Sequence, residues 1–198
     1  MAALIFVVGG AGAGKTTLAK LVAARRNTAV FDMDTLLRPA AEVLMKQAGL
    51  DPSDRDSDAY KRLCRELGYR IAMDAALENV ALGTDAIVIG PFTRELDEPD
   101  WIRDELTRAG IVPESVEIKV VSVYLADESR YRKRIAGRGG ELDKWKLDHW
   151  DRFKRTLGRK EVKWALPDHA VLYVDNSPDV PGLAADRIER FIFGGGAD

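Results

Sequence analysis

The 198-residue sequence contains a single cysteine, Cys64, and no uncharged run long enough to span a membrane. One cysteine cannot form an internal disulfide, which is compatible with a reducing compartment. The apolar opening, ALIFVV, follows no basic segment and reaches glycines at once, so it resembles neither a membrane span nor a signal peptide. We therefore expect a cytoplasmic protein that does not engage a membrane.

An excess of charge of one sign is also missing. The chain has 30 Lys and Arg against 32 Asp and Glu, a formal net charge of −2. No overall basic field would attract nucleic acid, which argues against a nucleic-acid partner. With 46% hydrophobic residues, the length and composition fit one globular domain with an ordinary core.

Short apolar runs alternate with segments of helical periodicity. The runs predict strands at 4–8, 29–32, 86–89, 117–125 and 170–174. The intervening segments predict helices, including one at 95–109 and one at 143–163. This alternation indicates an α/β fold in which helices cover both faces of a parallel sheet. Two connections are longer than a crossover needs, and such material usually covers a ligand at the carboxyl ends of the strands.

The segment GGAGAGKTT matches the P-loop pattern, and it follows a predicted strand and opens a predicted helix. Its glycines let backbone N–H groups surround phosphates, Lys15 should reach the β and γ phosphates, and the Thr16 hydroxyl should complete a Mg²⁺ shell. The turn after the last strand lies where an adenine could sit. The expected nucleotide-binding residues are Gly9, Gly10, Ala11, Gly12, Ala13, Gly14, Lys15, Thr16, Thr17 and Asn176.

Two aspartates, Asp32 and Asp34, stand two apart at the end of the second predicted strand. Side chains two apart in a strand point the same way, so both carboxylates can face the crevice beside the phosphate loop. One could bind Mg²⁺ through water while the other accepts a proton from an attacking hydroxyl. The alternative is that Asp34, with Thr35, caps the next helix.

The segment GPFTREL ends the third strand in a bent loop. We expect Phe92, Thr93 and Arg94 on the crevice side, where the Arg94 guanidinium can clamp an anionic or polyhydroxylated substrate. The alternative is a solvated arginine that pairs with Glu95 or Glu98.

Arginines recur every four residues at Arg130, Arg134 and Arg138, before two glycines. A basic arm with a glycine hinge suits a closing lid, because it places guanidinium groups against the transferring phosphate and excludes water. Arg134 and Arg138 are the candidate catalytic arginines, and the alternative is a solvated basic face. Asp127 and Glu128, the one candidate for the acidic residues that a motor-type ATPase carries after a strand, fit a helix cap and an acidic first turn better.

These motifs, in this order, resemble the small P-loop kinases: the nucleoside monophosphate kinase-like group that includes shikimate, gluconate and adenylylsulfate kinases and chloramphenicol phosphotransferase. GPFTREL with RGGELDKWKLDHWD is similar, more narrowly, to uncharacterised bacterial AAA-domain or zeta toxin-like kinases. The GPF segment stands where shikimate kinases carry a glycine-rich motif, which argues against shikimate itself as the acceptor.

The resemblance implies a three-layer P-loop fold with a five-stranded parallel sheet in the order 2-3-1-4-5. It implies ATP and Mg²⁺ as co-substrates, with Thr16 and Asp32 at the metal, Asp34 at the acceptor hydroxyl, and Arg134 and Arg138 in the lid. We expect a single domain, 1–198, with a substrate-binding insertion at 35–82 and a lid at 130–157.

The expected function is phosphoryl transfer from ATP to a hydroxyl of a small molecule, catalysed by Lys15, Asp34, Arg134 and Arg138, with Asp34 and Arg94 binding the acceptor. Two alternatives stay open at this point. One is a kinase acting on a nucleic acid or a nucleotide-sugar, as in zeta toxins or polynucleotide kinases. The other is a nucleotide-dependent switch or regulatory ATPase.

Overall fold

The computed structural model describes residues 1–55, 57–137, 141–178 and 180–194. One sheet in the order β2-β3-β1-β4-β5 forms the middle layer, and every neighbouring pair of strands is parallel. This confirms the predicted sheet and its order. The strands are β1 (Ala2–Val8), β2 (Ala29–Asp32), β3 (Ala86–Ile89), β4 (Val116–Tyr124) and β5 (Val171–Asp175).

Helices connect and cover the strands. They are α1 (Lys15–Arg26), α2 (Met33–Gln47), α3 (Asp58–Tyr60), α4 (Glu66–Ala81), α5 (Trp101–Arg108), α6 (Glu128–Gly137), α7 (Glu141–Asp148), α8 (Trp150–Phe153) and α9 (Pro181–Phe193). A π-helical turn, Lys61–Arg65, joins α3 to α4, and short 3₁₀ turns lie at Glu95–Asp97, Pro113–Ser115, Lys154–Thr156 and Asp168–Ala170.

The central strand β1 is buried on both faces, which explains its unbroken apolar sequence. Its side chains alternate between two cores. Leu4 and Phe6 pack with residues of α4 and α5 on one face. Ile5 and Val7 pack with residues of α1 and α9 on the other. These two layers of side chains hold the carboxyl edge of the sheet in place.

The prediction of one helix over 143–163 is wrong. Helical structure ends at Thr156, and residues 157–167 form an irregular segment, which we call the strap. The helix cannot continue because Leu157 is extended and Gly158 has a φ of +101°, a left-handed conformation that favours glycine. The predicted helix at 95–109 is also shorter than expected, since α5 begins only at Trp101.

The strap takes the place of a helix on one face of the sheet. The Ser122 hydroxyl donates to the carbonyl of Lys160 over 3.0 Å. The indole N–H of Trp164 donates to the carbonyl of Glu95 over 2.7 Å. The Trp164 ring stacks on Trp101 with centroids 5.3 Å apart and meets Phe6 edge-on at 4.9 Å. Buried aromatic area and satisfied polar groups together fix this segment without regular structure.

The loop after β3 turns on Phe92, whose φ is +45°. This conformation is strained for an aromatic residue. Phe92 is fully buried, and its ring lies 4.9 Å from that of Tyr69 and 5.3 Å from that of Phe6. Its backbone N–H donates to the Tyr69 hydroxyl over 3.1 Å, and burial raises the pKa of Tyr69 to about 12. The expectation that Phe92 faces the crevice is therefore wrong: the turn sends Phe92 into the core and leaves Thr93 and Arg94 exposed.

We predict that Tyr69→Phe destabilises the protein, because the buried N–H of Phe92 loses its acceptor. The expected loss in the free energy of unfolding is about 1–3 kcal/mol, measured by urea denaturation. Tyr124→Phe is the matched control, since the Tyr124 hydroxyl makes no hydrogen bond with the part of the chain that the structure describes. Equal stability of the two variants would contradict the role of Tyr69.

Candidate active site

The loop between β1 and α1 needs its glycines. Gly9, Gly12 and Gly14 have φ values of +136°, +85° and +98°, which other residues rarely adopt. A Cβ on Gly9 would lie 2.0 Å from the carbonyl oxygen of Val123, and one on Gly14 would lie 2.4 Å from the amide nitrogen of Asn176. The loop curls in front of the amino end of α1, where backbone N–H groups can surround an anion.

Lys15 begins α1, and its ammonium group donates to the carbonyl of Gly10 over 3.0 Å. The lysine therefore folds back over the loop that precedes it. This places a positive charge at the mouth of the loop, the position that the P-loop pattern predicts for it.

Asp32 links three elements at the carboxyl edge of the sheet. One carboxylate oxygen accepts from the Thr16 hydroxyl of α1 over 3.0 Å. The other accepts from the backbone N–H groups of Asp34 and Thr35 at 3.0 and 3.4 Å, which makes Asp32 the N-cap of α2. The alternative that Asp34 supplies this cap is wrong.

The prediction that Asp32 and Asp34 lie two apart in one strand is also wrong, because β2 ends at Asp32 and Asp34 lies in the first turn of α2. Asp34 is exposed at this edge. Burial raises the pKa of Tyr60, a positive charge on Arg55 lowers it, and the negative charge of Asp34 raises it further. Asp34 thus lies within electrostatic range of the helical insertion.

Thr16 and Asp32 offer oxygen donors of the kind that Mg²⁺ prefers. Within the described parts of the chain no group of three or more His, Cys, Asp and Glu side chains could hold a metal by itself. A hydroxyl and a carboxylate joined by a hydrogen bond fit a Mg²⁺ ion that keeps most of its shell from phosphate and water. The residues present therefore fit the ion that the P-loop pattern implies.

The turn after β5 packs against the phosphate loop through Asn176, which is 6% exposed. Its amide nitrogen donates to the carbonyl of Ala13 over 2.8 Å. Its side-chain oxygen is buried and has no hydrogen-bond partner among the described residues. A buried acceptor without a donor is costly, so this oxygen suits a donor group of a bound nucleotide base.

Arg134 of α6 also reaches the phosphate loop. Its guanidinium donates to the carbonyl of Asn176 at 2.8 Å and to that of Ala13 at 3.4 Å. Gly12 lies under the same helix, since a Cβ there would meet Ile135 at 3.1 Å. Helix α6, the phosphate loop and the turn after β5 therefore meet at one place. The second candidate arginine, Arg138, lies outside the described residues.

Asp127 is a helix cap, as the sequence indicates. Its carboxylate accepts from the backbone N–H and the hydroxyl of Ser129 at 2.9 and 2.7 Å, and α6 begins at the next residue. These hydrogen bonds lower the pKa of Asp127. The carboxylate is committed to the start of α6.

A cavity of 920 Å³ lies between the helical insertion and the segment after β3; we call it the charged cavity. Because β3 pairs with β1, this segment leaves the sheet beside the phosphate loop. Arg65 links the two walls of the cavity, because it donates to the Glu95 carboxylate at 3.2 Å and to the Thr93 hydroxyl at 3.3 Å. Its lining includes Lys61, Arg62, Arg65, Thr93, Arg94 and Glu95.

Arg94 thus lines a cavity at the expected edge, whereas Asp34 is not part of the lining. The sequence offers Arg62 and Arg65 only among several basic residues of the insertion, most of them expected to face water, and Glu95 only as a partner of Arg94; the structure places all three in this lining. The π-helical turn at Lys61–Arg65 is the structural signal for this wall, since such turns are frequent at functional sites.

Solved structures share this architecture. A "putative kinase" from Chloroflexus aurantiacus J-10-fl is 17% identical with a TM-score of 0.66, and 98% of each chain is covered. A sugar kinase from Janibacter sp. HTCC2649 is 18% identical with a TM-score of 0.61, over 96% of this chain and 94% of that one. Shikimate kinase from Acinetobacter baumannii in complex with shikimate is 15% identical with a TM-score of 0.51, over 100% and 97%. The chain therefore has the three-layer fold of the small P-loop kinases.

The sequence identifies the family directly. Residues 4–159 match the model of a family described as AAA domain, and the chain belongs to that AAA domain family. A search of curated proteins finds no match. No helix in the described ranges is both long and apolar enough to cross a membrane.

We predict that Asp32→Ala and Asp32→Asn differ in stability. Alanine removes the cap of α2, which should lower the free energy of unfolding by about 1 kcal/mol. Asparagine is an equally good cap. The free energy of unfolding, measured by chemical denaturation, should therefore fall less than half as much in Asp32→Asn as in Asp32→Ala. Similar losses in both variants would show that the charge of Asp32, and not its capping bonds, stabilises this edge.

Proposed function

We propose that the protein is an ATP-dependent kinase that transfers the γ-phosphoryl group to a hydroxyl of a small molecule. The observation that carries the proposal is the hydrogen bond between Thr16 and Asp32, which joins the phosphate loop to an acidic helix cap at the carboxyl edge of the sheet. One edge of the sheet thus offers a donor site and an acceptor site. The family and the shared fold support the same class of activity.

On the donor side, the phosphate loop, residues 9–17, binds the triphosphate of ATP, and Asn176 contacts the base. Lys15 exchanges its bond to the Gly10 carbonyl for the β and γ phosphates. Thr16 and Asp32 hold the magnesium ion that accompanies ATP, directly or through water. When bound, this ion neutralises charge on the phosphates.

On the acceptor side, Asp34 accepts or orients the proton of the attacking hydroxyl. Its exposure and its place in the first turn of α2 leave the carboxylate accessible to an acceptor. Arg94 binds an anionic or polyhydroxylated part of the acceptor in the charged cavity. Because Asp34 lies outside the lining of that cavity, the acceptor extends from the cavity toward the phosphate loop.

Arg134, and Arg138 beyond it, stabilise charge on the transferring group from a lid at 130–157. The contact of Arg134 with the Ala13 carbonyl supports this role, because it brings a guanidinium next to the phosphate loop. Transfer of this kind depends mainly on positioning and electrostatics. The whole chain, 1–198, acts as one cytoplasmic kinase domain in which the insertion at 35–82 binds the acceptor.

Two similar structures favour a small acceptor, since they are a sugar kinase and a shikimate kinase bound to shikimate. The capping role of Asp127 also favours a kinase over a motor-type ATPase, because it leaves that carboxylate no part in positioning water. Neither observation favours a nucleic-acid substrate or a regulatory switch.

We predict that the protein with Mg·ATP adds one phosphate to at least one metabolite of a bacterial extract, detected by untargeted mass spectrometry. Lys15→Ala should abolish the new signal, because it removes the cation that contacts the transferring phosphates. Circular dichroism of both proteins shows that the fold is kept. ATP hydrolysis that no extract fraction accelerates, with no phosphorylated product, would refute the kinase proposal.

We predict that Asp34→Asn lowers kcat by about 10²–10⁴-fold, the usual contribution of a positioned proton acceptor. Its stability should match that of the original protein, since Asp34 is exposed and does not supply the cap of α2. Steady-state kinetics with the acceptor found in the extract, together with thermal denaturation, measure both. Near-normal turnover would remove Asp34 from the mechanism.

A further inference from the structure

The charged cavity contains more charges than its internal ion pairs use. Arg65 pairs with Glu95 at 3.2 Å, and Arg70 pairs with the carboxylate of Glu105. Within each of these two pairs the opposite charges compensate each other. Lys61 and Asp58, both in the lining, approach each other to 3.9 Å.

Four other charges of the lining are unpaired. Arg62 and Glu66 lie on the wall made by the π-helical turn and α4, and Arg94 and Glu98 lie on the wall made by the segment after β3. All four residues are exposed at the mouth of the cavity, and their side chains make neither an ion pair nor a hydrogen bond with any residue in the described ranges. Each wall therefore offers one free cation and one free acid, and their charges sum to zero.

This arrangement selects against ligands with one kind of charge. A purely anionic acceptor would satisfy the arginines but would lie beside two carboxylates, and like charges at close range are unfavourable. A neutral polyol would exchange hydrogen bonds with these charges but would compensate none of them with an opposite charge. A ligand with one ammonium and one carboxylate group compensates both signs and adds no net charge.

We propose that the acceptor is a dipolar, hydroxylated molecule whose carboxylate binds Arg62 and Arg94 and whose ammonium group binds Glu66 and Glu98. The proposal rests on the kinase function proposed above and specifies the acceptor of that same site. The cavity volume of 920 Å³ lies at the upper end of the range for ligand sites. It leaves room for a polyol chain that extends toward Asp34.

Four probes on one six-carbon polyol frame test the charge requirement. Aminogluconate has both groups, gluconate has only the carboxylate, glucamine has only the ammonium group, and sorbitol has neither. We expect aminogluconate to exceed each of the others by about tenfold or more in kcat/KM, since a charged hydrogen bond to a ligand contributes at least that much. The measurement is ADP release, with the phosphorylated product confirmed by mass spectrometry.

Two variants separate the charges. Glu98→Gln should lower kcat/KM for aminogluconate by about tenfold while leaving gluconate unchanged or better. Arg94→Gln should lower kcat/KM by about tenfold for the two substrates that contain a carboxylate, and by much less for glucamine. Arg103→Gln and Glu114→Gln are the matched controls, because both positions are exposed and lie outside this cavity. They should leave kcat/KM unchanged for all four probes.

A kcat/KM for gluconate or sorbitol equal to that for aminogluconate would overturn the inference and leave the kinase proposal intact. If the protein uses none of the four probes, the metabolite phosphorylated in the extract decides: an acceptor with both an amino and a carboxyl group supports the inference, and an acceptor that lacks either overturns it. If no metabolite is phosphorylated at all, the kinase proposal fails first and the inference fails with it.

Discussion

The bonds of one buried carboxylate, Asp32, organise the carboxyl edge of the sheet. One oxygen fixes the start of α2 and the other holds the Thr16 hydroxyl of α1, so β2, α1 and α2 cannot move independently at this point. An acidic cap at a helix amino end is favourable in its own right, because the helix dipole and the free N–H groups stabilise the negative charge. The same charge is then available to a cation in front of the phosphate loop. Fold stability and the proposed metal site therefore depend on one side chain.

The strained turn at Phe92 has a comparable role on the acceptor side. A positive φ at an aromatic residue is unfavourable, and it persists because the ring is buried among Phe6, Tyr69 and Trp101. The strap closes this cluster with Trp164. As a result Thr93 and Arg94 are directed away from the core at a fixed place beside the phosphate loop. Aromatic packing beside the cavity, to whose lining Tyr69 and Trp101 also belong, thus determines which polar groups face it.

The strands and the phosphate loop could be predicted because each has a local signal, apolar runs and glycine spacing, whereas the order of the strands followed only from the resemblance to the small P-loop kinases. The cap at Asp32 and the strap could not. Asp32 and Asp34 differ only in where β2 ends, and pattern reasoning does not locate strand ends to one residue. The charged run at 143–163 has helical periodicity, yet tertiary hydrogen bonds from Ser122 and Trp164 hold its last part in another conformation. The role proposed for Arg62 and Glu98 has no signal of its own in the sequence, because charges that face a ligand and charges that face water look alike there.

Donor and acceptor recognition are therefore built in different ways. Nucleotide recognition depends on backbone geometry at Gly9 and Gly14, where a side chain would collide with neighbouring atoms. Because this geometry requires glycine at fixed spacings, it produces a short motif that can be recognised in the sequence. Acceptor recognition depends on charged side chains of the insertion and of the segment after β3, where substitution costs little stability. A family with this fold can thus keep one phosphate loop and change its acceptor by altering which charges in the cavity remain unpaired. The pairing pattern, and not the number of arginines, is the feature from which an acceptor can be inferred.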